Sequence, residues 1–345
     1  MDIFTDDFIY MFGEKNLMYD ILGYWLDDQN IFINYARYSN LEMCIFLYKT
    51  KMIDSSTVAD AFNESCMMNN IIVAKWLYEL NKPEYDFAYH IFIRCFIDGF
   101  IDIAKWLHSK YDFIITEHIF RLTCQFGYLH MAKWLYSIGN IDIHIENDIM
   151  FRLSCTHGHL NIAKWLYSHG NVNIHAIDNS AFSNSCANGH FDVAQWLYGL
   201  GDIDIHVNEE EAFRFSCMYG HLDIAQWLYS LGNVDIHVNN DYTFASSCVE
   251  GCLDVAKWLI SLGNIDIHCH DDHAFSGSCI RGNLEVAKFI HSFGNIKTEA
   301  YIDALIYSYS NGFLEVAVWV YRLGIIDIHS TINDNNIVEW IYTLN

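Results

Sequence analysis

The sequence predicts an all-α solenoid of about ten helix-turn-helix repeats, on three observations. Trp134, Trp165, Trp196, Trp227 and Trp258 recur at steps of 31 residues, with Phe289 continuing the step; a fixed period of this size marks stacked repeats. Further columns keep the same step: Cys124, Cys155, Cys186, Cys217, Cys248 and Cys279; His144, His175, His206, His237 and His268; Asp148, Asn179, Glu210, Asp241 and Asp272. Within a repeat the apolar spacing is helical. Ile224, Leu228 and Leu231 fall at i, i+4 and i+7 with Ala225 beside them, one stripe about 100° wide where a strand would alternate.

One repeat gives the element order. An acidic start at Glu210 leads into a helical segment over 212–217, a break at Gly220-His221, and a second helical segment over 222–231. The Asp148-to-Asp272 column stands where the first helix needs an N-cap acceptor. Gly139, Gly170, Gly201, Gly232 and Gly263 stand at the C′ position of the second, where a left-handed residue is wanted. The link over 233–240 is too short for another helix and predicts a finger-like loop. Looser copies around Phe46, Trp76, Trp106 and Trp319 extend the array to residues 35–329. Residues 1–34, with Phe8, Ile21 and Trp25, are expected to cap its N-terminal end, and residues 330–345, with Ile337, Trp340 and Ile341, its C-terminal end, because the outermost repeats of an array need covering.

Composition limits the partners. The chain of 345 residues carries 43 acidic and 19 basic side chains, a formal charge of −24, so nucleic acid would meet a repulsive field. No charge-free apolar run is long enough for a membrane span, and the opening Met1-Asp2-Ile3-Phe4-Thr5-Asp6-Asp7 is acidic where a secretory leader is basic. An intracellular monomer, not secreted and not membrane-bound, is expected. Eleven cysteines in such a chain are expected as thiols.

Two sequence patterns carry a resemblance. Gly220-His221-Leu222-Asp223-Ile224-Ala225 resembles the opening of the second ankyrin helix, and Gly232-Asn233-Val234-Asp235-Ile236-His237 resembles the loop after it, so the chain is similar to ankyrin-repeat proteins over some 300 residues. The wording Ala163-Lys164-Trp165-Leu166-Tyr167-Ser168 with Asn140-Ile141-Asp142-Ile143-His144, in a chain whose sole proline is Pro83, resembles the ankyrin proteins of giant amoeba-infecting DNA viruses of the mimivirus type. That resemblance implies an ankyrin-repeat solenoid, a location in the host cytoplasm, and an adaptor or scaffold gripping a host or viral protein. A structural component of the virion or virus factory is the alternative. The ankyrin Thr-Pro-Leu-His tetrapeptide is missing from every repeat; Glu211-Ala212-Phe213-Arg214 and Tyr242-Thr243-Phe244-Ala245 stand in its place.

The chemistry-bearing residue types read as packing. Helices stacked about 8–10 Å apart place successive column cysteines beyond disulfide reach, and a buried thiol behaves as a small apolar group. The tryptophans are expected between repeats. The histidines after Asp-Ile, and those of the Gly-His pairs at 159, 190 and 221, are expected to hydrogen-bond loop carbonyls across repeats. His268-Cys269-His270-Asp271-Asp272-His273 gathers six ligand-type side chains, but its spacing fits no zinc signature, and neither a metal nor another cofactor is expected. No phosphate loop, nucleophile elbow or His-Glu-x-x-His motif occurs, so no catalytic residue is assigned.

Binding is expected where repeats differ. The outward site of the first helix reads Arg121, Arg152, Ser183, Arg214, Ala245 and Ser276 along the array, and the position before the inner glycine reads Phe126, His157, Asn188, Tyr219, Glu250 and Arg281. The finger tips differ too, as Glu146-Asn147, Ile177-Asp178, Asn208-Glu209, Asn239-Asn240 and His270-Asp271 show. In ankyrin proteins, fingers and first helices form the concave binding face. The residues assigned to protein binding are Arg121, Phe126, Arg152, His157, Arg214, Met218, Tyr219, Glu250 and Arg281, since arginine and aromatic side chains dominate binding hot spots.

Overall fold

The computed structural model describes residues 28–327 and 335–344. Residues 1–27 of the expected N-terminal cap, and His329 with the start of the expected C-terminal cap, lie outside the described residues. Those described are helical and contain no strand. They divide into an N-terminal unit ending at Asp142 and a C-terminal unit beginning at Ile143.

The N-terminal unit holds four helix pairs: α1 Asp28–Arg37 with α2 Leu41–Thr50, α3 Ser55–Met67 with α4 Ile71–Leu80, α5 Tyr85–Asp98 with α6 Ile101–Tyr111, and α7 Glu117–Phe126 with α8 Leu129–Ile138. The C-terminal unit holds six more: α9 Ile145–Thr156 with α10 Leu160–Tyr167, α11 Ala176–Ala187 with α12 Phe191–Gly199, α13 Val207–Met218 with α14 Leu222–Leu231, α15 Val238–Val249 with α16 Leu253–Leu262, α17 Cys269–Ile280 with α18 Leu284–His291, and α19 Thr298–Ser310 with α20 Leu314–Arg322. A last helix, α21 Asn335–Tyr342, follows. Within each unit the first helix of one pair packs on the first helix of the next.

The columns explain the stacking. Phe151, Phe182, Phe213, Phe244 and Phe275 on the first helices, and Ala163, Ala194, Ala225, Ala256 and Ala287 on the second, are buried; a large ring and a small residue in alternation let adjacent pairs close without a void. Trp196, Trp227 and Trp258 each lie half-buried against the preceding repeat. Trp196 stands 6.1 Å from the Phe151 ring and 5.8 Å from Tyr167, Trp227 meets Phe182 and Tyr198, and Trp258 meets Phe213 and Tyr229, the tyrosines edge-on. The cysteine column is free thiol and buried between first helices. Burial pushes the thiols of Cys155, Cys186, Cys248 and Cys279 well up, which makes them poor nucleophiles.

The residue after each inner-turn glycine ties consecutive repeats. The Tyr128 hydroxyl donates to the Ile97 carbonyl at 3.2 Å, and the Asn283 amide to the Val249 carbonyl at 2.7 Å. The Cys252 thiol does the same toward the Met218 carbonyl at 3.3 Å. His190 and His221 occupy this position, each over the glycine of the repeat before, and a Cβ on Gly189 would stand 2.5 Å from the His221 ring. Together with its φ of +78°, that contact restricts the site to glycine.

Two outcomes check this packing. Phe244→Ala should lower the unfolding free energy by about 3–5 kcal/mol and half-exposed Trp258→Ala by distinctly less, measured by urea titration; equal losses would contradict the burial order. A thiol reagent applied to the native protein should modify half-buried Cys252 first, with the column cysteines reacting only on denaturation.

Candidate functional site

The finger that opens each of the first five helix pairs of the C-terminal unit turns through consecutive left-handed residues. Residues 146–148, 177–179, 208–210, 239–241 and 270–272 all have φ between +48° and +62°. Left-handed backbone costs a side-chain-bearing residue roughly 1–2 kcal/mol, so something must hold it. The answer corrects the sequence expectation for the acidic column. Asp148, Asn179, Glu210, Asp241 and Asp272 make no capping bond to the helix that follows, because the left-handed turn aims their side chains elsewhere.

Each of these side chains instead accepts from the histidine four residues earlier. His144 Nδ1 donates to Asp148 at 2.7 Å, His175 to Asn179 at 2.8 Å, His206 to Glu210 at 2.8 Å, His237 to Asp241 at 2.7 Å and His268 to Asp272 at 2.5 Å. The post-Asp-Ile histidines therefore bond within their own repeat and not to carbonyls of a neighbour. The column crosses repeats through its own polar atoms. Backbone N–H groups of Asn173, Asp235, Asp266 and Lys297, each 25 residues on, donate to Asp148, Glu210, Asp241 and Asp272 at 2.9, 3.3, 2.9 and 2.8 Å. Asn179 reverses the sense and donates to the Asp204 carbonyl at 3.4 Å. The side chains of Asn173, Asp204, Asp235 and Asp266 then accept from the backbone of the next histidine. The result is one hydrogen-bond ladder from His144 to Lys297.

The ladder disposes of the 268–273 cluster as a ligand set. His268 is committed to Asp272, His270 Nε2 donates to the Asn239 carbonyl at 2.9 Å, Asp271 pairs with Lys297, and the Cys269 thiol is buried against the Asp241 carbonyl. Among the described residues no group of histidine, cysteine and carboxylate side chains has metal-binding geometry.

On this frame the assigned binding residues fall in different settings. Arg121 and Phe126 belong to the N-terminal unit, Arg121 half-buried and Phe126 exposed. Arg152 and Arg214 are tied to their own fingers: Arg152 donates to the carbonyls of Asn147 and Glu146 at 3.0 and 3.1 Å, Arg214 to those of Glu209 and Asn208 at 2.6 and 3.0 Å. They staple the left-handed turn. Ser183, Ala245 and Ser276, expected to face outward in the same column, are buried; only a side chain as long as arginine reaches past the finger from this position. His157 donates to the Leu153 carbonyl at 2.9 Å, and Tyr219 is exposed, stacked at 6.1 Å on Phe215.

Met218, Glu250 and Arg281 come together. They line a groove of about 320 Å³ across the helices α13, α15 and α17, with Tyr242, Val249, His273 and Ile280 as further walls. Arg281 and Glu250 pair at 3.1 Å on its rim. His273 forms no hydrogen bond among the described residues, and burial, then the nearby His270, holds its pKa below the usual histidine value. The sequence reading missed the column that opens this groove. Two residues after the core phenylalanine, the repeats read Leu153, Asn184, Phe215, Ser246 and Gly277, and the fall in size from Phe215 to Gly277 was the available signal.

Comparison with known proteins finds ankyrin repeats over part of the chain. A family model for ankyrin repeats in three copies matches residues 182–271, and one for ankyrin repeats in many copies matches residues 151–198. No curated protein matches the chain. Among solved structures, the crystal structure of the human ASB11 ankyrin repeat domain is similar at 18% identity and a TM-score of 0.41, covering 58% of this chain and 96% of that one. Together the two models span residues 151–271. Ankyrin repeats are modules of protein–protein interaction.

The ladder makes a specific prediction. Asp241→Ala leaves His237 and the Asp266 N–H without their buried acceptor and should cost about 1–3 kcal/mol, whereas Asp241→Asn should cost less, since Asn179 fills the equivalent place two repeats earlier. Thermal unfolding of both variants checks the order; an equal loss would place the ladder outside the stabilising interactions.

Proposed function

We propose that the chain is an interaction scaffold or adaptor that holds a protein partner on the finger and first-helix face of the C-terminal unit. One observation carries the reading. Positions between repeats keep the same residue types from step to step, while the first-helix face varies and presents Met218, Tyr242, Glu250 and Arg281 around a groove, with Tyr219 exposed at the end of α13. A surface of this composition, an apolar centre with a charged rim, has the anatomy of a protein-binding site. The acidic balance of −24 argues against nucleic acid as that partner. Among the described residues no helix is long and apolar enough to cross a membrane. The resemblance to giant-virus ankyrin proteins makes a host or viral protein in the cytoplasm of an infected cell the expected target.

Tagged protein incubated with extract of infected or host cells tests this. Because Arg152 and Arg214 hold their own fingers, the informative variant is Tyr219→Ala with Arg281→Glu, which leaves the staples in place. A partner captured by the wild type should fall at least tenfold with that variant. Equal capture by both would remove the face from the proposal.

A further inference from the structure

The groove between α13, α15 and α17 is shaped for one kind of occupant. Its base exists because two successive repeats lack a side chain that their predecessor has. Phe215 stands on α13, Ser246 takes the equivalent place on α15, and Gly277 takes it on α17. Glycine inside a helix is less stable than alanine, and here it is imposed by contact, since a Cβ on Gly277 would lie 2.4 Å from the Val249 methyl Cγ2. The Val249 methyl thus occupies the space that a side chain at 277 would take, and the groove lies open beside Ser246. The walls are apolar and deformable: the Met218 thioether, the Tyr242 ring, Val249 and Ile280, with His273 presenting a ring. A cavity of about 320 Å³ lies at the lower end of those that bury a ligand group, and thioether and ring walls favour an aromatic guest.

The charges around it select what carries that guest. The positive groups nearby are already committed: Arg281 to Glu250, Arg214 to the carbonyls of Asn208 and Glu209, and Lys297 to Asp271. Glu211, one repeat before Tyr242 in the same column, accepts from the neutral Asn208 amide at 3.2 Å, and Glu209 from the neutral Asn239 amide at 3.0 Å. Both retain uncompensated negative charge on a chain of net −24.

Building on the proposed scaffold role, we propose that this groove binds an aromatic side chain presented by a lysine- or arginine-rich segment of the partner protein. The aromatic ring enters beside Ser246 between Met218 and Ile280, and the flanking cations lie toward Glu209 and Glu211.

Selection from a displayed library of random 12-residue peptides on the full chain tests it, with affinities then read by fluorescence anisotropy at low and high salt. Ser246→Phe closes the groove with the residue that the preceding repeat carries at the equivalent position, and Tyr242→Ala, at an exposed site, removes one wall without filling anything. Circular dichroism melting establishes that each variant is folded, and Tyr242→Ala decides if Ser246→Phe is not. Selected peptides should be net positive with an aromatic residue, bind Ser246→Phe at least tenfold and Tyr242→Ala at least threefold more weakly, and weaken with salt. Recovery of no peptide that prefers the wild type to the folded variants, or of winners that are acidic or lack an aromatic residue, overturns the groove proposal. Peptides indifferent to Ser246→Phe but lost with Tyr219→Ala would do so while leaving the scaffold face standing; peptides indifferent to all three changes would remove both.

Discussion

The hydrogen bond from a finger N–H to the buried carboxylate of the preceding repeat is the constraint on which the C-terminal unit depends. Asp272 is only 1% exposed, and a carboxylate so placed is tolerated only when its oxygens are occupied. A histidine from its own repeat takes one oxygen and the backbone of the next repeat takes another. The same contact therefore satisfies a buried polar group, holds a left-handed turn in its unfavourable backbone region, and sets the step between neighbours. Apolar contacts between the Phe, Ala and Trp columns supply most of the burial, but they are non-directional. The ladder gives them a register.

A fixed register has a direct effect on the face that binds. Because each first helix follows the last in the same relation, side chains at equivalent positions form columns whose contents can change without moving the backbone. The groove beside Ser246 shows this: a sequence change of Phe to Ser to Gly over three repeats becomes a change of shape at one place. Arginine illustrates the opposite use of a variable position. At 152 and 214 it folds back on its own finger, so a residue type common in binding sites here secures the scaffold beneath one.

Much of this was legible in the sequence, for identifiable reasons. The 31-residue step, the helical spacing of Ile224 and Leu228, and the cysteine column follow from packing rules that act locally and repeat. The acidic column was placed correctly in the chain yet given the wrong task, since an N-cap assumes extended backbone at the capping residue and residues such as Asp241 are left-handed. Nothing in the residue types Asn, Glu and Asp separates those cases. Likewise the outward direction expected for Ser183, Ala245 and Ser276 rested on the variation of their column, where Arg152 and Arg214 reach solvent by the length of the arginine and not by the position. The groove escaped because it arises from two small residues that are unremarkable singly and form a space only when their helices adjoin.

The ladder ends where the pattern Asp-Ile-His gives way to Lys297-Thr298-Glu299. Lys297 still donates its backbone N–H to Asp272, but no histidine follows to pass the connection on. A junction made of the same donor and acceptor at each step has a genetic corollary. Insertion or loss of one residue in a finger misplaces an N–H against its buried acceptor, whereas gain or loss of a whole 31-residue segment rejoins an identical pair of ends. The length of such an array is free to drift by duplication and deletion of entire segments, while its internal spacing is not.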